Sequence, residues 1–271
     1  MKIFTMVLLC VLLSWGAMAK KDGTINIKSL DITLVAVPQG LYMSQEITNG
    51  QYLAFLQDLI KQGRVVEAAR LLPDSTQWQK EIAYCEPMVS HYFRHPAYAD
   101  FPLVAITLEG ANAFCAWLTE IVKKDGKLNL PNALCALPTE NEWLIASAPF
   151  YDNPYPWYGP YAYNEKGEVL CNVKISRIDA DVFRQYQGIG SVALTTGPES
   201  YYPNKYGLYN MIGNVAELTS EGYIKGGGWS NTIDECAVTK RQDFTLPNAN
   251  VGFRVVLRPN GNIVSMNKED K

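Results

Sequence analysis

The segment NKYGLYNMIGNVAELTS, Asn204 to Ser220, decides how the loop-rich middle of this chain is ordered. Four of its oxygens can converge on one ion, from the side chains of Asn210 and Glu217 and from the carbonyls of Gly213 and Val215. Calcium takes about six to eight hard oxygens in an adaptable shell, and a short loop that mixes carbonyls with one carboxylate suits it. The segment is therefore compatible with a calcium site, and by itself it leaves open the competing interpretation of a turn whose glutamate forms a salt bridge.

Upstream of this segment lies a long stretch without regular periodicity. From residue 149 to residue 203 the helical pattern disappears, and Gly, Pro, Asn and Tyr dominate. So long a span without regular structure is uncommon inside a compact domain unless something orders it. Some of its aromatic side chains are candidates to line a sugar or peptide groove, and equally to pack within loops. The candidates are Tyr155, Trp157 and Tyr158.

Regular elements are predicted before this stretch. Residues 32–37 have the pattern of a buried strand that ends at a proline. Thr48 followed by Gln51 is typical of a capping box, so a helix is predicted to begin there. The apolar face of this helix is predicted to hold Tyr52, Phe55, Leu56, Leu59 and Ile60.

Further elements follow from the same patterns. Helices are predicted over residues 65–72, from near Thr107, and from Thr139, where Glu142 repeats the capping-box spacing. Residues 73–102 contain four prolines and are predicted to be irregular. Short strands are predicted at residues 223–225 and 252–257.

The composition limits the class of protein. The chain has 271 residues, of which 48% are hydrophobic, and its net charge is −3. No internal repeat or linker divides it, so residues 20–271 are predicted to form a single domain. A mildly acidic chain without a basic run argues against nucleic-acid binding.

The first residues have the pattern of an export signal. Lys2 supplies a positive charge, residues 6–13 form an apolar core, and residues 17–19 are a small-residue cleavage site. The apolar core is too short to stay across a bilayer, and no later apolar run is long enough to cross one. With residues 1–19 as the signal peptide, we expect an exported protein, periplasmic or peripherally associated with an outer membrane, without a transmembrane helix in the mature chain.

Five cysteines follow the predicted signal. In an oxidising compartment they allow at most two disulfides and leave one thiol over, and sequence does not fix the pairing. Their wide spacing fits no zinc template. They are Cys85, Cys115, Cys135, Cys171 and Cys236.

Seven phrases resemble the formylglycine-generating-enzyme, or sulfatase-modifying-factor, family, and they occur in the order that the family has. They are EITNGQYLAFL (46–56), GANAFCAWL (110–118), LPTENEW (137–143), YPWYG (155–159), NKYGLYNMIGNVAELTS (204–220), KGGGW (225–229) and VGFRVV (251–256). The resemblance spans roughly residues 32–258, which we take as the core of the domain. It implies a mixed α+β, loop-rich fold that is related to C-type lectins and binds calcium.

The resemblance also implies particular metal ligands. Asn210, Gly213, Val215 and Glu217 match the family's ligands for one calcium ion. A second calcium ion would be held by Asn172 and Asp181 and by the carbonyls of Val173 and Phe183, although the spacing to Asp181 is shorter here than in the family.

The family's oxidase chemistry uses copper(I), held by two cysteines that follow the aromatic residue of the glycine-rich strand. Counted from Trp229, these two positions are Asn231 and Cys236. Soft thiolates select copper(I), and a carboxamide with one sulfur should not hold it. We therefore expect no copper and no catalytic residue, and Cys236 is predicted to be buried or disulfide-bonded.

A second resemblance covers residues 73–104, including PDSTQW (73–78) and YFRHPAYADFPLV (92–104). This part is similar to an insertion of the Gld-type gliding-motility lipoproteins of the type IX secretion machinery. The resemblance implies a non-catalytic, calcium-ordered structural or partner-binding component of the bacterial cell envelope, with envelope or secretion-apparatus proteins as partners. The lipid anchor of those proteins is not predicted, because Cys10 follows Leu9 rather than a small residue.

Two alternatives from other functional classes stay open. One is a copper-dependent oxidase that makes formylglycine from a sulfatase cysteine. The other is a lectin-like ligand-binding module, with Asn231, Asn248, Asn250 and the tyrosines as its variable face.

Overall fold

The computed structural model describes residues 23–149, 153–174 and 194–261. Its strands are β1 (Thr24–Ile27), β2 (Ile32–Val37), β3 (Leu41–Ser44), β4 (Leu134–Ala136), β5 (Ala216–Leu218), β6 (Tyr223–Lys225), β7 (Gln242–Asp243), β8 (Val251–Gly252) and β9 (Val256–Arg258). Its helices are α1 (Asn49–Lys61), α2 (Val65–Arg70), α3 (Trp78–Glu81), α4 (Glu86–His91), α5 (Leu108–Lys124) and α6 (Glu140–Ser147). The mixed, loop-rich α+β prediction is confirmed, and the predicted signal, residues 1–19, lies outside the described residues.

The strands form two sheets. The first has the order β1-β2-β3-β9-β4 and is antiparallel throughout. The second has the order β7-β6-β5-β8, and its β5–β8 pair is parallel, with Glu217 opposite Gly252. Both sheets are therefore completed by strands from the last part of the described chain, β8 and β9.

The single strand predicted over residues 252–257 is wrong. The segment is divided between the two sheets, since β8 pairs with β5 whereas β9 pairs with β3 and β4. Between β8 and β9 the chain forms hydrogen bonds with the end of β3 and with the residues just after it. Ser44 N donates to Val255 O, and Ile47 N donates to Phe253 O, both at 2.9 Å. An apolar run predicts extended backbone, but it does not say which sheet each residue joins.

Helix α1 begins where the capping box predicts. Thr48 Oγ1 accepts a hydrogen bond from Gln51 N at 3.3 Å, and Gln51 Oε1 accepts one from Thr48 N at 3.0 Å. The predicted face is buried except for Ile60, whose relative exposure is 50%. Ile60 lies eight residues after Tyr52, which places it about 80° around the helix and at the edge of that face.

Residues 73–102 are more regular than predicted, because they contain α3 and α4. Pro87 lies in the first turn of α4, where the missing N–H of proline has no intrahelical partner to lose. Trp78 of α3 is buried and stacks on Trp229, with ring centroids 6.0 Å apart. This stack attaches the segment to the loop that follows β6.

The first sheet is buried on both faces. Alternation along β2 sends Leu34 into the cluster shared with α1 and α5, and Val35 into the cluster that contains Trp143 of α6. None of the helices in the described part of the chain combines the length and the apolar character needed to cross a bilayer.

Candidate functional site

The predicted calcium segment forms a tight turn just before β5. Asn210, Gly213 and Asn214 have left-handed backbone conformations, with φ angles of 51°, 77° and 62°. A Cβ atom on Gly213 would lie 2.4 Å from the carbonyl oxygen of Asn172, so glycine is required there. Among residues with a side chain, asparagine is one of those that adopt this conformation most readily. The shape of the turn therefore follows from the residue types that the sequence places in it.

The side chain of Asn210 points into the protein interior. Its Nδ2 donates to Glu46 Oε2 at 2.9 Å and to the carbonyl oxygen of Pro198 at 3.1 Å. Its Oδ1 is buried and has no hydrogen-bond partner. A buried acceptor without a donor is costly unless something else satisfies it.

The carboxylate of Glu217 is held by an ion pair with Arg254. Arg254 Nε donates to Oε2 at 2.6 Å, and the second guanidinium arm donates to Oε1. Trp143 Nε1 also donates to Oε2, at 2.6 Å. The structure therefore has the salt-bridged glutamate of the competing interpretation, in which Oε2 has both acceptor positions filled and Oε1 has one left.

The oxygens of the turn fit a hard cation in part. The unpartnered Asn210 Oδ1 is the kind of ligand that calcium takes, and the carbonyls of Gly213 and Val215 belong to the same turn. Arg254 and Trp143 occupy three of the four acceptor positions of the Glu217 carboxylate. Only one position on Oε1 is left for a cation, so this carboxylate is not a free ligand. Calcium binding by this segment stays a prediction.

Glu46 is a site residue that the sequence interpretation missed. It lies between β3 and the cap of α1, is 2% exposed, and its Oε2 also accepts from Asn214 Nδ2 at 2.8 Å. Burial, with the nearby Glu217 carboxylate, raises the pKa of Glu46 to about 8. The available signal was an acidic residue two positions before the N-cap Thr48 and between apolar segments, a place where an unpaired charge is not expected.

The second predicted calcium set adjoins the first. Asn172 Nδ2 donates to Asn214 Oδ1 at 3.2 Å, and Asn214 N donates to the Asn172 carbonyl at 2.8 Å. Val173 is buried beside them. Asp181 and Phe183 lie outside the described residues, and the second calcium site as a whole stays a prediction.

The two positions of the family's copper ligands have separate environments. Asn231 Oδ1 accepts from Gly228 N at 3.0 Å and from Asn250 Nδ2 at 2.7 Å, so its amide braces the glycine-rich turn. The Cys236 side chain is completely buried, and a Cβ on Gly227 would lie 2.3 Å from its sulfur. Burial, with Glu235 nearby, raises the pKa of the Cys236 thiol to about 12.

The described cysteines are all buried free thiols, so the described residues contain no disulfide. Cys236 shares a hydrophobic cluster with Cys171. Burial, together with Cys236, raises the pKa of Cys171 well above its ordinary value. Cys236 is thus buried, as predicted, and it is not disulfide-bonded.

A cleft of about 270 Å³ opens beside Asn231. The structure brings Asn231, Asn248 and Asn250 together on its wall, as the lectin-like alternative requires. Asn248 Nδ2 donates to Glu81 Oε1 of α3 at 2.7 Å. The segment of residues 73–104 therefore contacts the wall of this cleft through Glu81.

The predicted aromatic group does not form one open groove. Tyr155 is buried and stacks on Trp157, with ring centroids 5.4 Å apart and planes 9° apart. The Tyr155 hydroxyl donates to the Ile233 carbonyl at 3.3 Å. Tyr158 is 85% exposed. Tyr155 and Trp157 pack against each other, and Tyr158 alone of the three presents most of its ring to solvent.

Comparison with protein families matches residues 23–259 to the sulfatase-modifying factor enzyme 1-like domain. The inactive C-alpha-formylglycine-generating enzyme 2 of Bos taurus is 28% identical over 207 residues, which are 66% of this chain and 60% of that protein. The formylglycine-generating enzyme of Mus musculus is 27% identical over 171 residues, which are 58% of this chain and 39% of that protein. The serine/threonine-protein kinase pkn1 of Chlamydia pneumoniae is 29% identical over 187 residues, 59% of this chain and 24% of that protein. This chain spans less than two thirds of the length of each.

Solved structures show the same fold. The structure of PvdO from Pseudomonas aeruginosa has a TM-score of 0.57 at 16% identity and covers 88% of this chain and 99% of its own. Treponema denticola variable protein 1 has a TM-score of 0.54 at 16% identity and covers 87% of this chain and 98% of its own. At these identities the likeness is one of fold alone.

Proposed function

Because the chain belongs to the sulfatase-modifying factor enzyme 1-like family, we propose that it is a non-catalytic member that binds a partner in the bacterial cell envelope. Exported and ordered by calcium, it serves as a structural or docking component. Its partners are envelope proteins, of the kind that assemble gliding-motility and type IX secretion complexes.

The environment of Asn231 carries the non-catalytic part of the proposal. The oxidase chemistry of the family needs two thiolates that face one copper(I) ion. Here the first position is an amide whose oxygen accepts from Gly228 N and Asn250 Nδ2. An amide oxygen is a hard ligand, and this one already accepts two hydrogen bonds, so it does not suit a soft copper(I) ion. The cattle relative named as inactive supports the same conclusion, whereas the mouse enzyme keeps the oxidase as the alternative.

The position of residues 73–104, which the sequence likens to a Gld-type insertion, supports the envelope part. Trp78 stacks on Trp229, and Glu81 accepts a hydrogen bond from Asn248 at the polar cleft. The insertion and the cleft thus form one surface at the place where the family has its chemistry. A partner that docks there would contact both.

The calcium part rests on the turn at Asn210. The ion would be held by oxygens of Asn210, Gly213 and Val215, and it would fix the turn from which β5 begins. Its chemical contribution is charge and coordination, which stabilise loops that have little regular structure of their own.

Copper titration of the reduced full chain tests the non-catalytic proposal. The wild-type protein is expected to show no stoichiometric high-affinity copper(I) binding and to leave a cysteine-bearing sulfatase peptide without an aldehyde. The matched variant Asn231→Cys supplies the second sulfur, and Asn231→Ser controls for loss of the amide. Stoichiometric copper and a peptide aldehyde in the wild type would overturn the proposal.

The polar cleft favours one further candidate, a lectin-like module. Three asparagines on one wall offer donors and acceptors of the type that sugars use. A glycan array probed in calcium and in chelator tests it. Binding that is lost in an Asn248→Ala variant would favour this candidate over protein docking.

A further inference from the structure

Glu46 is a buried carboxylate whose two oxygens have different environments. Oε2 accepts from the amides of Asn210 and Asn214 at 2.9 and 2.8 Å. Oε1 is buried and has no hydrogen-bond partner. A buried carboxylate needs a partner at both oxygens, because removing a charge from water is expensive.

The buried side-chain atoms that lack a partner in the described residues are all acceptor oxygens. They are Glu46 Oε1, Asn210 Oδ1 and Asn49 Oδ1. Asn210 contacts Glu46 directly, and Asn49 follows it by three residues at the start of α1. Glu46 Oε1 and Asn210 Oδ1 belong to two side chains in direct contact, and a carboxylate oxygen with an amide oxygen is a pair of the type that calcium takes as ligands.

The local charges are also unbalanced. Glu46 lies within electrostatic reach of both Glu217 and Arg254. Arg254 binds both oxygens of Glu217 and donates two further hydrogen bonds, to the carbonyls of Ser44 and Tyr209. The guanidinium therefore pairs with Glu217, and Glu46 is the carboxyl group without an ion-pair partner, which agrees with its raised pKa of about 8.

A cleft of about 650 Å³ leads to this position. Glu46 lies on its wall, together with the exposed carboxylates of Asp31, Asp100 and Glu199. Several carboxylates around one cleft raise the local concentration of cations and attract them from solution. The cleft therefore brings cations to a wall that includes Glu46, and the two unpartnered oxygens lie buried behind this wall without solvent contact of their own.

We propose that Glu46, and not Glu217, is the charged ligand of the calcium ion, which it binds through Oε1 together with Oδ1 of Asn210. This inference rests on the calcium part of the proposed function and changes its ligand set. Glu217 then acts as the partner of Arg254, which holds the turn before β5 in position.

Calcium titration of the full chain in chelator-treated buffer tests the assignment, with the free metal ion as the probe. The wild type is expected to bind one equivalent and to melt at a higher temperature in calcium than in chelator. Glu46→Gln keeps the size of the side chain and should weaken calcium binding by about tenfold or more, because it removes the ligand charge. Glu217→Gln is the matched control, and it should lower the melting temperature in chelator while the shift caused by calcium persists.

Terbium luminescence gives a second measurement at the same site. Terbium(III) takes oxygen ligands like calcium, and Trp143 and Tyr92 lie close enough to Glu217 and Glu46 to sensitise it. The signal should fall in Glu46→Gln and recover in part in Glu46→Asp, and near-ultraviolet circular dichroism checks that each variant is folded. Retained binding in Glu46→Gln with loss in Glu217→Gln would overturn the assignment but leave the calcium proposal intact. A wild type without calcium binding would instead end the calcium proposal itself.

Discussion

At the scale of single residues, Glu217 and Arg254 form an ion pair that is almost completely excluded from solvent. Burial makes each partner dependent on the other, since a lone buried charge is far more costly than the pair. Trp143 donates to the same carboxylate and extends the network to α6. The pair thus joins β5 to the link between β8 and β9.

We predict that Glu217→Gln lowers the free energy of unfolding by about 3–5 kcal/mol, because Arg254 is left without its counter-charge. Guanidinium denaturation of the purified chain measures this loss. The double variant Glu217→Gln, Arg254→Met should lose less than the sum of the two single variants. Additive losses would mean that the two side chains do not depend on each other.

Gly227 has a separate role beside the buried thiol. Its φ is +60°, and an added Cβ would meet the sulfur of Cys236 at 2.3 Å. Gly222 has a φ of +82° but nothing within 4 Å of an added Cβ. A comparison of alanine substitutions at the two glycines therefore separates the cost of backbone strain from the cost of steric overlap.

Gly222→Ala is expected to cost about 1–2 kcal/mol, the penalty of a left-handed backbone for a residue with a side chain. Gly227→Ala should cost about 1–3 kcal/mol more, because the methyl group also overpacks the cluster around Cys236. Urea denaturation of both variants gives the difference. Equal losses would show that Cys236 does not press against Gly227 in solution.

At the scale of elements, the capping box of α6 also anchors the helix to the first sheet. Thr139 Oγ1 accepts from Glu142 N at 3.1 Å, and Glu142 Oε2 accepts from Thr139 N at 2.8 Å. The same carboxylate binds Arg258 of β9 at 2.8 and 2.6 Å. One glutamate thus closes the helix start and neutralises a buried arginine.

This double role predicts unequal effects of two substitutions. Thr139→Ala should cost about 1 kcal/mol, the ordinary value for a lost N-cap. Glu142→Gln keeps the capping acceptor but leaves the buried guanidinium of Arg258 without a counter-charge, and should cost about 3 kcal/mol or more. Thr48→Ala, at a capping box whose Gln51 carries no charge, is the control for a cap alone. A loss for Glu142→Gln as small as that for Thr139→Ala would contradict the double role.

The element scale also shows the limits of pattern reasoning. Thr48 and Thr139 predicted two helix starts correctly, because a capping box is a local contact over three residues. The strand over residues 252–257 was wrong, because the division between two sheets depends on partners far away in sequence. Residues 73–102 were underestimated, since their short helices are stabilised by packing such as the Trp78–Trp229 stack.

At the scale of the whole molecule, the described thiols are distributed over all three hydrophobic clusters. All five are buried and free. Burial raises the pKa of Cys135 and Cys236 to about 12 and that of Cys115 and Cys171 well above the ordinary value. A thiol reacts as its thiolate, so these thiols should be inert in the folded chain.

We predict that alkylation of these four thiols at pH 8 follows global unfolding. In the reduced native protein, Cys236 should react about a thousandfold more slowly than in denaturant, because little thiolate exists four units below its pKa. Site-resolved mass spectrometry across a denaturant series measures the extent of alkylation at each cysteine. It also distinguishes these thiols from Cys10, which lies outside the described residues. Fast modification of one of the four without denaturant would show local opening of its cluster instead.

The sequence alone determined the family, the mixed and loop-rich fold, the two capped helices and the turn at Asn210, because each depends on residue types at short spacing. Only the tertiary structure decided that Glu217 pairs with Arg254, that Asn231 braces the glycine-rich turn, and that Glu46 lies beside Asn210. Glu46 and Asn210 are 164 residues apart, and no local pattern links them. Their contact exists because the end of β3 and the turn before β5 are both packed against the link between the two sheets, and burial then raises the pKa of an ordinary glutamate to about 8.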